Sequence, residues 1–408
     1  MMWLLLASAS WAQPGGLTGE VHGELSSFFF GTLAEPHTVF APDGATGMGS
    51  VSGRLKGHLD LGRHLRLTAH PTISSSTGQI SWAQTGTGMA PPQAVDLSWS
   101  PDTEGPLDIT ARMDWLHLRA RMQGAEITVG RQAIGFGTGV FFTPMDLVTP
   151  FGLTTVDTSH RPGVDAVRVD GFFGTSGRVT GVAAYRGDWD IDGMVLLAEG
   201  QVTVGLTDIH LMAGEVHGDH VVGLGLASSI GPVGLHADAT LTLPDEDDHF
   251  VRAVVGADWR PTDKTTLSAE AYVQTVGAQT PEEYMVFALS ERVSRGELQQ
   301  LGRTYLGAMV SQELTALTQA SLAIFSNVDD GSALVSPSLA WSISDNADLS
   351  AGGFIGWGEG PDEVDPLDLI DPTTLQPLPD QAMARRLGVR SEYGLISPTF
   401  FIQMKSAF

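Results

Sequence analysis

The sequence contains no cysteine among its 408 residues. This absence excludes a disulfide framework, a thiolate metal site and a cysteine nucleophile. Basic residues are scarce as well, since 22 Lys and Arg stand against 47 Asp and Glu and leave a formal net charge of -25. Nucleic-acid binding needs a basic face that releases counterions, so we expect no nucleic-acid partner.

Long apolar runs are also missing, although 42% of the residues are hydrophobic. A transmembrane helix needs about 20 consecutive apolar residues, so the chain does not have the pattern of a helical membrane protein. The length suits either two or three soluble domains or one large β-barrel, which grows by adding hairpins. The choice between them depends on the residue pattern.

The first residues, MMWLLLASASWAQPGG, combine a short apolar run with small residues at Ser10 and Ala12. These two residues stand three and one positions before a cut at Gln13, which predicts a signal peptide over residues 1–12 and a mature domain over 13–408. No Lys or Arg precedes the apolar run, which departs from the usual signal-peptide pattern.

From residue 17 onward, polar and apolar residues alternate in segments of about ten residues that are separated by Gly, Asn, Asp and Pro turns. In residues 51–61, for example, Val51, Leu55 and Leu59 occupy one face of a strand, whereas Arg54, Lys56 and His58 occupy the other. A soluble sandwich usually carries fewer Arg and Lys at mid-strand. The pattern therefore predicts an all-β, transmembrane antiparallel β-barrel with its apolar face toward lipid.

Strand counting predicts 18 strands, with 16 as the alternative, and assigns the segment 384–393 to the last long hairpin. Short and long connections alternate, as periplasmic turns and extracellular loops do in outer-membrane barrels. We expect a short helix within residues 282–300, because their composition is helical. The predicted long connections are 33–48, 77–108, 134–160, 280–302 and 359–383.

The C-terminal residues form one amphipathic strand that ends in phenylalanine. Its apolar face carries Phe400, Ile402, Met404 and Phe408. A terminal Phe on such a strand resembles the insertion signal that the bacterial barrel-assembly machinery reads. We therefore expect the outer membrane of a Gram-negative bacterium as the location, with the assembly machinery, membrane lipid and lipopolysaccharide as partners. The oligomeric state is not predicted.

Residues 128–152, TVGRQAIGFGTGVFFTPMDLVTPFG, and the following RPGVDAVRV resemble a segment of uncharacterised porin-like outer-membrane proteins of Gram-negative bacteria. The resemblance extends to LGRTYLGAMVSQEL (301–314), to residues 327–354 and to SEYGLISP near the C-terminus. It implies a channel-like barrel and no particular substrate.

The glycine-rich part of this segment predicts an ordered loop, because glycine permits positive φ and close backbone approach. Folded inward, such a loop would narrow a pore. Alternatively, its charged residues form ion pairs that brace a structural extracellular loop. The candidate residues for a constriction loop are Arg131, Gln132, Asp146, Arg161 and Asp165.

Strand phase places a set of basic side chains on the polar face of the N-terminal strands. We expect these residues to line the lumen, since a charge on the lipid face at the bilayer midplane costs roughly 2–4 kcal/mol. A basic wall favours anions; the alternative is that lumen carboxylates such as Asp60, Glu126 and Glu270 neutralise it. The predicted pore-lining residues are Arg54, Lys56, His58, Arg66, His117, Arg119 and Arg121.

The predicted function is a porin-like channel for passive diffusion of small solutes, with an anion preference as one possibility. The alternative is a structural or polymer-export barrel whose lumen is plugged by a loop. The sequence contains no GxSxG or HExxH motif, so an enzyme, with Ser and His on separate strands, is the least favoured reading. His217, Asp219 and His220 fit a solvated turn better than a metal site, and we expect no metal or cofactor.

Overall fold

The computed structural model describes residues 9–13, 17–37, 40, 44–78, 91–103, 105–245, 247–371 and 378–408. The strands within these residues form one antiparallel sheet. Eighteen of them close into a barrel, as the alternating pattern predicts. The count of 18 is confirmed, and the alternative of 16 is wrong.

In chain order, the strands of the N-terminal half are β1 (Ala9–Gln13), β2 (Leu17–Thr32), β3 (Thr46–Leu61), β4 (Leu65–Gly78), β5 (Ser98–Trp99), β6 (Leu107–Met122), β7 (Ala125–Gln132), β8 (Val164–Phe173), β9 (Gly177–Tyr185) and β10 (Met194–Val204). The three longest strands, of 16 residues each, are β2, β3 and β6 in this N-terminal half of the chain. The second half continues with β11 (Thr207–Val216), β12 (Asp219–Ile230), β13 (Val233–Leu243), β14 (Phe250–Thr262), β15 (Thr265–Gln274), β16 (Thr304–Thr315), β17 (Thr318–Asn327), β18 (Ser332–Ser344), β19 (Ala347–Trp357) and β20 (Thr399–Ala407).

The barrel closes where β2 pairs with β20, from Glu24 opposite Ala407 to Thr32 opposite Thr399. Two short strands stand outside the ring of eighteen. The first, β1, pairs with the N-terminal end of β2, and β5 pairs with two residues of β6. In the described residues 378–408 the segment 384–393 contains no strand, which confirms its assignment to the last loop.

The two faces of each strand differ as the alternation predicts. On β14, Val251 and Val255 are 38% and 59% exposed, whereas Arg252 and Val254 between them are 3% and 1% exposed. Large apolar side chains are exposed in the same way on strands around the barrel, which leaves an apolar outer surface. Such a band is what lipid solvates, while polar side chains point into the lumen.

The two rims differ in their connections, although less regularly than expected. Tight periplasmic turns such as those at Gly62 and Gly124 use positive φ angles of 77°. On the extracellular side, however, β11 and β12 are joined by the two residues His217 and Gly218, with φ angles of 52° and 85°. Positive φ at both positions is the geometry of a type I′ hairpin. The extracellular rim is therefore low at this point.

Helices occur in two long extracellular connections. In the connection between β15 and β16, helices span Tyr284–Ala288 and Glu291–Ser294 after a 3-10 turn at Pro281–Glu283. This confirms the helix predicted within residues 282–300. Between β19 and β20 lie Pro366–Leu369, Asp380–Ala384 and Tyr393–Leu395, of which only the second is α-helical. In the described part of the chain, no helix is long and apolar enough to cross a membrane.

Residues 1–8 of the predicted signal peptide lie outside the described residues. The remainder, residues 9–12, belongs to β1, in which Ala9 is opposite Val21 and Ala12 is opposite Thr18. Cleavage before Gln13 stays a prediction.

The C-terminal residue completes the seam between β2 and β20. Phe400, Ile402 and Met404 point outward, at 39%, 47% and 44% exposure. Phe408 and Gly23 exchange two backbone hydrogen bonds, at 2.7 and 2.9 Å. The Phe408 ring covers Gly23 so closely that a Cβ at Gly23 would stand 1.9 Å from a ring carbon. The seam thus requires glycine opposite the terminal phenylalanine.

We expect Gly23→Val to reduce the yield of folded barrel severalfold, because the new side chain displaces the Phe408 ring from the seam. The yield is measured by circular dichroism and gel mobility after refolding into micelles. Gly181→Val is the matched control, since a Cβ at this strand glycine meets nothing within 4 Å. Equal yields for the two variants would contradict the proposed role of Gly23.

Candidate functional site

Six of the seven predicted pore-lining residues lie together with Arg112, which was not predicted, on β3, β4 and β6. These seven residues are called the basic wall: Arg54, Lys56, His58, Arg66, Arg112, Arg119 and Arg121. Their side chains are on the face opposite the exposed apolar residues. Four of the arginines remain substantially open to solvent: the side-chain exposures of Arg66, Arg112, Arg119 and Arg121 are 40%, 40%, 35% and 54%. This side of the lumen is therefore accessible to water.

Carboxylates pair with the basic wall. Arg54 and Arg112 share the carboxylate of Asp114, at 2.7 and 2.6 Å. Arg119 and Arg121 likewise share Glu126, at 3.0 Å each. Each of these two groups contains two guanidinium charges and one carboxylate charge.

The other basic side chains have single acidic or hydroxyl partners. Lys56 Nζ lies 2.7 Å from Glu24, and Arg66 Nε lies 2.6 Å from Asp60. His58 Nδ1 lies 3.2 Å from the Thr68 hydroxyl. His117, also predicted to line the pore, is only 6% exposed and contacts the Arg131 carbonyl. His117 is therefore buried behind the lumen surface and does not belong to the basic wall.

The connection between β7 and β8, residues 133–163, is an inward loop that enters the barrel. Two lumen-facing carboxylates bind its backbone. Asp238 on β13 accepts hydrogen bonds from the amides of Thr138 and Gly139, at 2.6 and 3.0 Å. Glu270 on β15 accepts from three consecutive amides, those of Val140, Phe141 and Phe142, at 2.5, 3.0 and 2.9 Å.

Aromatic packing supports the same attachment. Phe142 is 1% exposed and stacks on Tyr272 of β15 with a ring-centre distance of 5.0 Å. Phe141 meets Phe325 of β17 edge-on at 5.3 Å. Gly307 of β16 lies against these rings, and a Cβ there would stand 3.0 Å from the Phe141 ring, so the rings would have to shift to accept a side chain.

The far end of the inward loop reaches the seam strands. Lys405 of β20 lies 2.6 Å from Asp157, and Glu24 of β2 lies 3.1 Å from His160. Burial alone would raise the pKa of Asp157, but the hydrogen bonds from Lys405 and Ser159 hold it below its usual value. The loop thus contacts β13–β17 with one part and β20 and β2 with another, so it crosses the lumen.

The constriction-loop candidates occupy two places. Arg131, Gln132 and Asp165 lie in β7 and β8 at the base of the inward loop. Arg131 is 2% exposed, binds both oxygens of Asp165 at 2.9 Å and donates to the carbonyl of Val95 at 2.7 Å. Gln132 donates to the Ala166 carbonyl at 3.2 Å. These three residues brace the loop base.

The other two candidates, Asp146 and Arg161, pair with each other inside the inward loop. Burial raises the pKa of Asp146, and the Arg161 guanidinium opposes that effect. Arg161 also donates to the Thr149 carbonyl at 2.6 Å. The pair therefore holds the returning half of the loop against its first half.

Sequence reasoning missed the residues that direct the loop inward. Asp238 and Thr138 are 100 positions apart in the chain. The strand phase places Asp238 and Glu270 in the lumen, but it does not show that loop amides reach them. In the turn that contains His217, Asp219 and His220, His217 contacts the Asp192 carbonyl and Asp219 pairs with Arg292. In the described residues no group of three His, Asp or Glu side chains is arranged to hold a metal.

Eighteen antiparallel strands, an apolar outer surface, a charged lumen and an inward loop define a transmembrane β-barrel of the outer-membrane porin type. The structure is similar to the outer membrane protein OpdK from Pseudomonas aeruginosa, with a TM-score of 0.54 and 8% identity over 96% of this chain and 98% of that chain. It is also similar to a BenF-like porin from Pseudomonas fluorescens Pf-5, with a TM-score of 0.56 and 9% identity over 96% and 98%.

Pseudomonas aeruginosa OpdQ gives a TM-score of 0.55 at 8% identity, over 96% of this chain and 97% of that chain. No protein-family model matches the chain, and no curated protein matches it by sequence. At these identities the similarity is one of fold, and it confirms the porin-like barrel that the sequence predicts.

We expect Asp165→Asn to lower the free energy of unfolding by about 3 kcal/mol, because the buried Arg131 guanidinium would lose its charged partner. Urea unfolding of the refolded barrel measures the change. Asp348→Asn is the control, since Asp348 is exposed and accepts a hydrogen bond from Ser342. A loss no larger than that of the control would contradict the bracing role of Asp165.

Proposed function

We propose that the protein is a channel for passive diffusion of small solutes across the outer membrane of a Gram-negative bacterium, with a lumen narrowed by the inward loop. The observation that carries this proposal is the attachment of the loop backbone to Asp238 and Glu270 on one side of the barrel. The basic wall lies on another side of the barrel, and several of its arginine side chains are exposed to solvent. A path lined by that wall then remains beside the loop.

The similarity in fold to OpdK, described as an outer membrane protein, and to a BenF-like porin supports this function. An enzyme would need catalytic side chains that converge at one rim, and we propose none for this chain. A plugged structural or export barrel is the second candidate, because loops of the extracellular rim pack together, as described below.

Single-channel recording in planar bilayers tests the channel. We expect steady ohmic steps from the refolded protein, and a severalfold larger conductance from the double variant Asp238→Asn and Glu270→Gln, because the inward loop loses its charged acceptors. Asp258→Asn is the matched control. Asp258 lies on β14, between the strands of Asp238 and Glu270, and pairs with His236 and Ser268 but not with the inward loop. A folded but silent barrel would exclude the channel and favour the plugged candidate.

We also propose a mild preference for anions. The Asp114 and Glu126 groups each hold one more guanidinium than carboxylate, so a positive excess remains at both after pairing. Charged rings and walls set ion selectivity in narrow pores. The excess is small, because most basic side chains of the wall are paired.

The reversal potential in a salt gradient measures this preference. We expect the double variant Arg119→Gln and Arg121→Gln to lower the ratio of anion to cation permeability, and Glu126→Gln to raise it. The opposite directions serve as mutual controls, since all three residues belong to one group. Equal ratios in both variants would show that this group does not face the ion path.

A further inference from the structure

A polar cluster joins an extracellular loop to the barrel rim. The Glu392 carboxylate, in the connection between β19 and β20, accepts hydrogen bonds from the Tyr305 hydroxyl at 2.5 Å and from Asn327 Nδ2 at 2.7 Å. Its other oxygen accepts from the Leu301 amide at 3.1 Å. Tyr305 and Asn327 are 0% exposed and belong to the extracellular ends of β16 and β17. The loop carboxylate is thus inserted among donors fixed by the barrel.

Apolar contacts join the same loop to its neighbour. Ala384, Leu387 and Val389 form one buried cluster with Tyr284 and Met285 of the connection between β15 and β16. The helix Asp380–Ala384 therefore docks on the helix Tyr284–Ala288. Near the C-terminal end of the docked segment, the Glu392 carboxyl supplies a hydrogen-bonded anchor to the rim.

The groups around Glu392 are neutral or acidic. Asp330, in the turn after β17, accepts a hydrogen bond from the backbone amide of Glu392 at 2.8 Å. The Tyr284 and Tyr393 hydroxyls are neutral, since burial raises the pKa of both. In the same turn Asp329 accepts hydrogen bonds from the backbone amides of Arg303 and Thr304, at 2.5 and 2.9 Å.

Two influences on Glu392 oppose each other. Desolvation of the carboxyl raises its pKa from 4.5 to about 7, and Asp330 acts in the same direction. The hydrogen bonds from Tyr305, Leu301 and Asn327 lower the pKa and only partly offset this effect. A docked Glu392 therefore favours the protonated form more than a solvated glutamate does.

We propose that Glu392 is a proton-controlled latch, which keeps residues 378–398 docked on the rim while its carboxyl is protonated and releases them when the carboxylate ionises. This latch would control access to the proposed channel, but its existence does not depend on conduction. It goes beyond solute diffusion, because it makes the extracellular loop respond to external pH.

The direction of the pH effect follows from linkage. The docked state binds a proton more tightly than the released state, so docking is strongest below pH 4.5 and weakens as the pH rises to about 7. A pKa difference of this size lowers the docking constant on the order of a hundredfold across that range. Above pH 7 both states are ionised, and no further change is expected from this group.

A spin label on the loop tests the latch without any measurement of conduction. The chain has no cysteine, so Gln381→Cys provides a single attachment point on the exposed side of the docked helix. We expect an immobile spectrum at pH 4.5 and a growing mobile component toward pH 7 in the refolded full-length barrel. With Glu392→Gln added, the neutral side chain keeps the immobile component at every pH.

Glu359→Gln is the matched control, because Glu359 is an exposed carboxylate of the same connection and its variant should retain the full pH response. Tyr305→Phe removes a donor to the carboxylate, and we expect it to move the transition to higher pH. An unchanged spectrum of the parent protein between pH 4.5 and 8 would overturn the proposal. The same pH response in the Glu392→Gln variant would also overturn it.

Discussion

The architecture of the lumen depends on how the inward loop satisfies its backbone inside a barrel. Five consecutive amides, from Thr138 to Phe142, point at the carboxylates of Asp238 and Glu270. Polar backbone groups that leave regular structure need such partners, because an unmet donor away from water costs about 1–3 kcal/mol. The carboxylates therefore determine where the loop can lie, and the position of the loop determines which part of the wall stays open.

The basic wall carries many charges, and most of its cations are paired with carboxylates. Asp114 and Glu126 each bridge two arginines, and Glu24 bridges Lys56 and the loop residue His160. The Glu24 carboxylate, which holds the far end of the inward loop, thus also neutralises one cation of the basic wall. Loop position and lumen charge are consequently coupled, and a change in one is expected to alter the other.

The strand pattern was readable from the sequence because each strand carries its own alternation of polar and apolar residues. Faces, strand number and the C-terminal strand all followed from such local signals. The position of the inward loop could not be predicted in this way, because it depends on contacts such as that between Thr138 and Asp238, which are 100 positions apart. The turn at His217 was predicted from the sequence as a polar turn, but its type was not: type I′ turns usually begin with Asn or Asp, and here a histidine adopts the positive φ.

The contact between Phe408 and Gly23 extends the seam between β2 and β20 at its periplasmic end. Phe408 covers Gly23 and exchanges two backbone hydrogen bonds with it, next to the register pairs that run from Glu24 opposite Ala407 to Thr32 opposite Thr399. Without this contact, backbone donors and acceptors of β2 would be exposed at the periplasmic rim. Since β2 and β20 are the first and last strands of the ring, the seam can close only after all eighteen strands have been synthesised, and strand pairing within the hairpins can precede it.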